Sequence, residues 1–422
     1  MYPTFDKIRE MAAGDYKRIP ICKELYADSY TPVEMMRILQ KASHHCYLLE
    51  SASQSEAWGR YSFLGYDPSM EITCTDGILR IRKTSKTETF GRSGNAAESS
   101  TESSTEEVRQ VAHPGDAIRE IISQYKSPVM DDMPTFTGGL VGYFSYDYIK
   151  YSEPKLKLED KEQQDFRDMD LMLFDQVIVF DHFKQKVLLI TGVMTDDLEA
   201  SYEAAVKKLE EMAQLIRNGE HMEFEPLELE SEIRPKFPKE KYADMVEKAK
   251  HYIKEGDIFQ VVLSNPMRAK ATGSLFDTYR VLRATNPSPY MFYFSSDDIE
   301  LAGASPETLA KLENGTLSTF PLAGTRPRGK TREEDKALEE GLLKDEKELA
   351  EHNMLVDLGR NDLGRFCRFG TVEVEKYLSV EKFSHVMHLG STVRGELRGD
   401  KTALDALQSV LPAGTLSGAP KL

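Results

Sequence analysis

The sequence predicts an α+β fold in which β-sheets pack with helices. Three observations predict it. Alternating apolar runs broken by Asp-Gly or Asn-Gly turns mark antiparallel hairpins. Other stretches repeat apolar residues at helical spacing. The two kinds of segment do not follow the strict strand–helix–strand order of a parallel sheet.

Taken in order, MEITCTDGILRIRK turns at Asp76-Gly77 between alternating runs and predicts a hairpin. Residues 87–110, TETFGRSGNAAESSTESSTEEVRQ, are rich in Ser, Thr and Glu and lack apolar periodicity, which predicts a disordered insert. A glycine-rich stretch follows, TGGLVGYFSYDY (137–148). QVIVFDHFKQKVLLIT predicts a second hairpin, and Leu198 to Arg217 a helix that stops at Asn218-Gly219. The acidic, proline-containing stretch 221–238 reads as a link between two halves.

The second half opens with a helix that puts Tyr242, Met245, Val246, Ala249, Tyr252 and Ile253 on one face and ends at Gly256. DIFQVVLS then predicts a buried strand. LAKLENGTLSTF predicts a hairpin at Asn314-Gly315, which delivers the chain into PLAGTRPRG (321–329). One long helix is predicted from about Glu333 into MLVDLG.

The chain has 422 residues, enough for more than one domain and a large core. Its formal net charge of −16 argues against a nucleic-acid or anionic-membrane surface. An anionic substrate would need local cations, either arginines or a bound metal. Cys22, Cys46, Cys74 and Cys367 are scattered without a CxxC spacing, which argues against a zinc or thioredoxin-type site. With no apolar signal region at the start and no run of about 20 apolar residues, the expected location is cytoplasmic.

Four stretches could carry chemistry. Glu348 and Glu351 are three apart, so on a helix they share a face, with His352 beside them. Two carboxylates on a rigid face can hold Mg²⁺, although the same spacing also describes a solvated charged surface. His385 and His388 lie in an apolar, β-branched context; each is a candidate proton carrier or a satisfied core histidine. In PLAGTRPRG, Gly324 allows close backbone approach and Thr325 adds a hydroxyl. Arg326 and Arg328 could grip carboxylates bidentately, or the stretch could be a polar turn. LPAGTLSGAP repeats the theme with Gly414, Thr415 and Ser417. NPSPYMFYF sets proline-fixed backbone beside Met291 and aromatic residues, which could shape a small apolar pocket.

Together these stretches resemble one family. LLES, FTGGLVGYFSYDY, YIKEGDIFQVVLS, NPSPYMF, GASPETL, PLAGTRPRG, ELAEHNMLVDLGRNDLGR, EKFSHVMHLGSTVRGEL and LPAGTLSGAPK match, in order, component I of anthranilate synthase, a chorismate-utilising enzyme. The resemblance implies β-sheets packed face to face with helices outside. It implies an N-terminal region at 1–220 and a chorismate-binding catalytic domain at 235–422 that is C-terminally incomplete, since family members run on past SGAPKL.

The resemblance also implies roles. Gly324, Thr325 and Thr415 would contact chorismate. Glu351, with Glu348 beside it, would bind Mg²⁺. His388 would serve the elimination of pyruvate, with Glu348 and Glu307 as further acidic groups. Aminodeoxychorismate synthases resemble this loop but generally carry lysine where this chain has Ala323, as do isochorismate and salicylate synthases; alanine leaves room for ammonia as the nucleophile. Glu50, Ser51, Pro289, Tyr290 and Met291 would bind L-tryptophan as feedback inhibitor, bridging the two halves. No cysteine stands in a nucleophile-elbow context, so ammonia is expected from ammonium or from a glutamine amidotransferase subunit. The alternatives are an aminodeoxychorismate synthase and a truncated, catalytically incomplete tryptophan-binding protein.

Overall fold

Hairpins organise the first half. In the computed structural model, which describes residues 1–51, 59–88, 100–153, 155–156 and 166–421, strands Met70–Thr75 and Ile78–Glu88 pair antiparallel. Asp76 and Gly77 both have positive φ between them, the two-residue turn that matches strand twist. Ser100–Gln110 continues this sheet as a strand beside Ile78–Glu88, so that part of the expected disordered insert is ordered. A ladder of backbone hydrogen bonds needs no apolar side chains, and composition alone does not reveal it. Residues 89–99 of the insert lie outside the described residues.

The chain forms two units, one of Met1–Phe224 with Thr278–Arg280 and Pro289–Gly303, the other of Glu225–Asp277, Val281–Ser288 and Ala304–Leu422. The first unit holds two sheets. One runs in the order Arg18–Tyr26, Lys186–Met194, Val177–Asp181, Tyr61–Tyr66, Cys46–Glu50, Tyr290–Ser295, Glu300–Ser305. The other runs Ser100–Gln110, Ile78–Glu88, Met70–Thr75, Met169–Phe174, Gly139–Phe144. The sheets meet face to face: Tyr47 and Phe294 of the first cluster with Met172 and Phe174 of the second. The Tyr47 and Phe174 rings meet edge-on at 4.7 Å, a favoured aromatic geometry. The expected helix appears as Leu198–Asn218, packed on the first sheet with Pro32–Ala42.

In the second unit, Val386–Glu396 is the central strand. It pairs with Leu322–Pro327, Thr316–Thr319 and Glu373–Lys382. Thr316–Thr319 also pairs with Lys311–Glu313 across a positive-φ turn at Asn314 and Gly315. Where one long helix was predicted there are two, Arg332–Leu342 and Glu346–Gly364. The break follows local chemistry. The first helix stops at Leu342, with Leu343 as its C-cap, and the Asp345 side chain accepts the amides of Lys347 and Glu348 to start the second. The helix Lys239–Glu255 ends at left-handed Gly256 as expected, yet none of its residues is buried. DIFQVVLS also departs from expectation. Only Gln260–Val261 forms a strand, paired with Gly418–Ala419, and Phe259 is 78% exposed. A two-residue ladder supplies little burial, so its apolar content stays at the surface.

Candidate active site

PLAGTRPRG is mainly a strand, and its glycine is a bulge. Leu322–Pro327 pairs with Val386–Glu396, but the register shifts between Ala323 and Thr325. Gly324 bulges there with φ of 68°, a conformation that costs glycine little. A β-carbon at Gly324 would lie 3.2 Å from Leu342 and 3.3 Å from both Cβ and Oε2 of Glu348. The Gly324 carbonyl lies 3.1 Å from His388 Nδ1, and Thr325 Oγ1 lies 3.1 Å from the same nitrogen. Gly324, Thr325, Glu348 and His388 therefore converge. A carbonyl only accepts, so Nδ1 bears the proton and Nε2 is left with a lone pair, the arrangement of a general base.

The carboxylate helix Glu346–Gly364 brings in the acidic groups. Glu348 and Glu351 lie one turn apart and are both half-buried. Glu348 Oε1 lies 3.5 Å from Arg326 Nη1, and Glu351 Oε1 accepts from Gln260 Nε2 at 3.5 Å. The arginines do not stand open for a substrate. Arg326 Nη2 donates to Asp345 at 2.7 Å. Arg328 grips Asp335 through Nε at 2.9 Å and Nη2 at 3.1 Å, and donates to the Phe383 carbonyl. That grip holds the Asp335 carboxyl well below the usual carboxylate range. The expected bidentate anion site is thus occupied by the chain's own acids.

Glu307 and Thr415 form a separate pair, with Thr415 Oγ1 donating to Glu307 Oε2 at 3.3 Å. Burial raises the Glu307 pKa above its ordinary value. No group of three or more His, Cys, Asp or Glu suited to a metal occurs among the described residues. Glu348 and Glu351 remain as two oxygen-bearing groups on one helix face. That suits Mg²⁺, which commonly takes one or two carboxylates and fills its shell with water and substrate oxygens.

The first unit gathers a second set. Glu50 ends strand Cys46–Glu50 and stands opposite Met291 in the sheet. Its Oε2 accepts from the Tyr279 hydroxyl at 2.7 Å and its Oε1 from Ser62 at 3.2 Å. Met291 is buried, and Ser51 Oγ is buried with no hydrogen-bond partner among the described residues. The sequence reading had these residues bridging the two halves. Instead Pro289, Tyr290 and Met291 belong to the same unit as Glu50 and Ser51, because Pro289–Gly303 returns to the first sheet.

A family model described as chorismate binding enzyme matches residues 45–422. The chain belongs to the chorismate-binding enzyme family. Among curated relatives in that family, it is 40% identical to anthranilate synthase component 1 of Acetivibrio thermocellus, over 100% of this chain and 82% of the relative. It is 39% identical to the Aquifex aeolicus protein of the same name, over 99% of this chain and 81% of the relative. Anthranilate synthase component I from Streptococcus pneumoniae superposes with a TM-score of 0.69 at 38% identity, covering 86% of this chain and 75% of that one. The menaquinone-specific isochorismate synthase MenF of Escherichia coli shares the fold at a TM-score of 0.63 and 14% identity, over 99% of this chain and 80% of that one.

For this chorismate-binding enzyme the sequence had marked most of the convergent residues: Gly324, Thr325, Glu348, Glu351 and His388 lie within two adjoining strands and one helix. Glu307 and Thr415 contact each other, and no hydrogen bond joins them to that cluster among the described residues. Sequence reading missed Ser62, Tyr279 and Gln260. Tyr279 meets Glu50 across 229 residues, and no local pattern signals such a pairing. No helix among the described residues is long and apolar enough to cross a membrane.

Proposed function

We propose that this chain converts chorismate and ammonia to anthranilate and pyruvate, as the large subunit of an anthranilate synthase. The observation that carries the reading is the Gly324 bulge. Its backbone lies against Glu348 and within 3.1 Å of His388 Nδ1, and the residue just before it is a buried alanine, Ala323. Alanine offers no amine or base, so the nucleophile must come from outside. Ammonia adds to the ring, and the ring hydroxyl leaves as water. Glu307, whose carboxyl burial keeps protonated to higher pH, is suited to give that proton. His388 Nε2 then takes the ring proton as pyruvate departs and the ring becomes aromatic. Glu348 and Glu351 would hold Mg²⁺, which when bound neutralises the substrate carboxylate and withdraws electrons from the ring.

Feedback control by L-tryptophan belongs to the same proposal. Buried Met291 offers apolar contact, Glu50 a carboxylate for the ammonium, and Ser51 an unmet hydroxyl. Ammonia would come from free ammonium or from a glutamine amidotransferase partner. Four buried, unpaired thiols suit the reducing cytoplasm. The test gives the purified chain chorismate, Mg²⁺ and excess ammonium and follows anthranilate fluorescence with and without L-tryptophan. Fluorescence that rises and is suppressed by tryptophan supports the reading. A folded chain that leaves chorismate untouched overturns it.

A further inference from the structure

The buried face of the carboxylate helix carries one residue that apolar packing does not explain. Leu355, Val356, Gly359 and Leu363 follow the expected spacing, and His352 continues the same face one turn earlier. Its ring is wholly buried. A leucine there would fill the space without the cost of desolvating an imidazole. Part of that cost is left standing, since His352 Nδ1 is buried with no hydrogen-bond partner among the described residues. The other nitrogen, Nε2, lies 2.7 Å from Ser391 Oγ, itself 4% exposed.

Ser391 joins three elements. It lies on the His388 strand three residues after that histidine, and strand alternation puts it on the face of Met387, Leu389 and Val393. Its Oγ also accepts the amide of Leu378 at 3.1 Å on the neighbouring strand. Leu378 has a φ of 53°, unusual for a residue with a branched side chain, and the strand register shifts between Lys376 and Ser379. The Ser379 hydroxyl lies 2.7 Å from Glu381 Oε1 and 3.0 Å from the Gly390 carbonyl on the His388 strand. Apolar contacts such as those of Leu349 with the Met387–Leu389 cluster, and of Val356 and Leu363 with Val393, hold helix and sheet together without fixing their register. A buried hydrogen bond is directional and does fix it.

We propose that the His352–Ser391 hydrogen bond is a buried clamp that sets Glu348 and Glu351 in register with His388. His352 is a positioning residue: Glu348 lies one turn before it, Glu351 is its chain neighbour, and the partner Ser391 shares a strand with His388. Reactive constellations tolerate displacements of only about 0.5 Å, and a helix freed to slide or tilt on its sheet exceeds that. The clamp rests on the functional reading above, because it assigns a task only if the carboxylates and His388 work together.

The test uses His352→Leu, Ser391→Ala and the double variant, with His352→Gln as the conservative replacement. Two readouts are taken from each: kcat for ammonia-dependent anthranilate formation, and Mn²⁺ affinity by electron paramagnetic resonance, which reports the carboxylate site without turnover. Leucine and alanine variants should each lose about tenfold in kcat and in Mn²⁺ affinity, the scale seen when groups supporting metal ligands are removed. The double variant should be no worse than the poorer single one, and glutamine should restore part of the loss. L-tryptophan binding should stay unchanged, since its residues lie in the other unit. Variants that melt earlier but keep wild-type kcat and Mn²⁺ affinity overturn the clamp and leave His352 a packing residue. A wild-type chain that neither binds Mn²⁺ nor makes anthranilate overturns the functional reading, and the clamp falls with it.

Discussion

Gly324 shows how much one residue decides. Its φ of 68° and the Glu348 atoms 3.3 Å from the place of a β-carbon leave a side chain tight for space and strained in backbone. Gly324→Ala must strain the bulge or push Glu348 away, at a cost of about 1–3 kcal/mol for the backbone alone. Anthranilate formation should fall at least tenfold by this displacement, with a lower melting temperature; a variant with wild-type kcat would refute the packing argument. Asp170 makes a different point. It is wholly buried, one oxygen has no hydrogen-bond partner among the described residues, and burial pushes its carboxyl up to about 6 despite the Arg167 guanidinium 2.5 Å away. The unfolded carboxyl titrates near 3.8, so between these values the folded chain holds the proton more tightly and stability falls as pH rises. Asp170→Asn removes that loss. In urea unfolding the variant should gain on wild type as pH rises from about 4 to about 6, then hold level. The opposite slope would mean that Arg167 wins over burial.

At the scale of elements, the hairpins at Asp76-Gly77 and Asn314-Gly315 and the helix 198–218 were legible because each is specified by its own residues, a positive-φ dipeptide or a repeating apolar stripe. What escaped depended on partners. Ser100–Gln110 is a strand because Ile78–Glu88 offers it a ladder, and DIFQVVLS stays at the surface because only Gly418–Ala419 pairs with it. The split of the predicted long helix could have been read, since Asp345 precedes Glu348 by three residues, the spacing of an N-cap and its acidic third residue. Asp345 holds both the start of the helix and Arg326 from the Gly324 strand. Asp345→Ala should therefore lower the melting temperature and weaken Mn²⁺ binding together. Loss of stability with intact Mn²⁺ binding would confine Asp345 to capping.

At the scale of the molecule, the motifs of the site were legible but their distribution was not. Nothing local to NPSPYMFYF says that its strand joins Cys46–Glu50, far earlier in the chain; that follows from Met291 standing opposite Glu50 in a shared sheet. One consequence is that the residues proposed to hold L-tryptophan belong to a single unit, and on that proposal Ser51→Ala or Met291→Ala should relieve inhibition by tryptophan while leaving kcat near wild type. Equal sensitivity in both variants would move the effector elsewhere. The proposed reaction is tested most directly by counting both products in one sample. Chorismate, Mg²⁺ and ammonium are given to the chain, anthranilate is read by fluorescence and pyruvate by coupled reduction. The account predicts equal amounts of the two, and neither from Glu351→Gln. Chorismate consumed without pyruvate, or an aminated product that keeps its enolpyruvyl group, would contradict it.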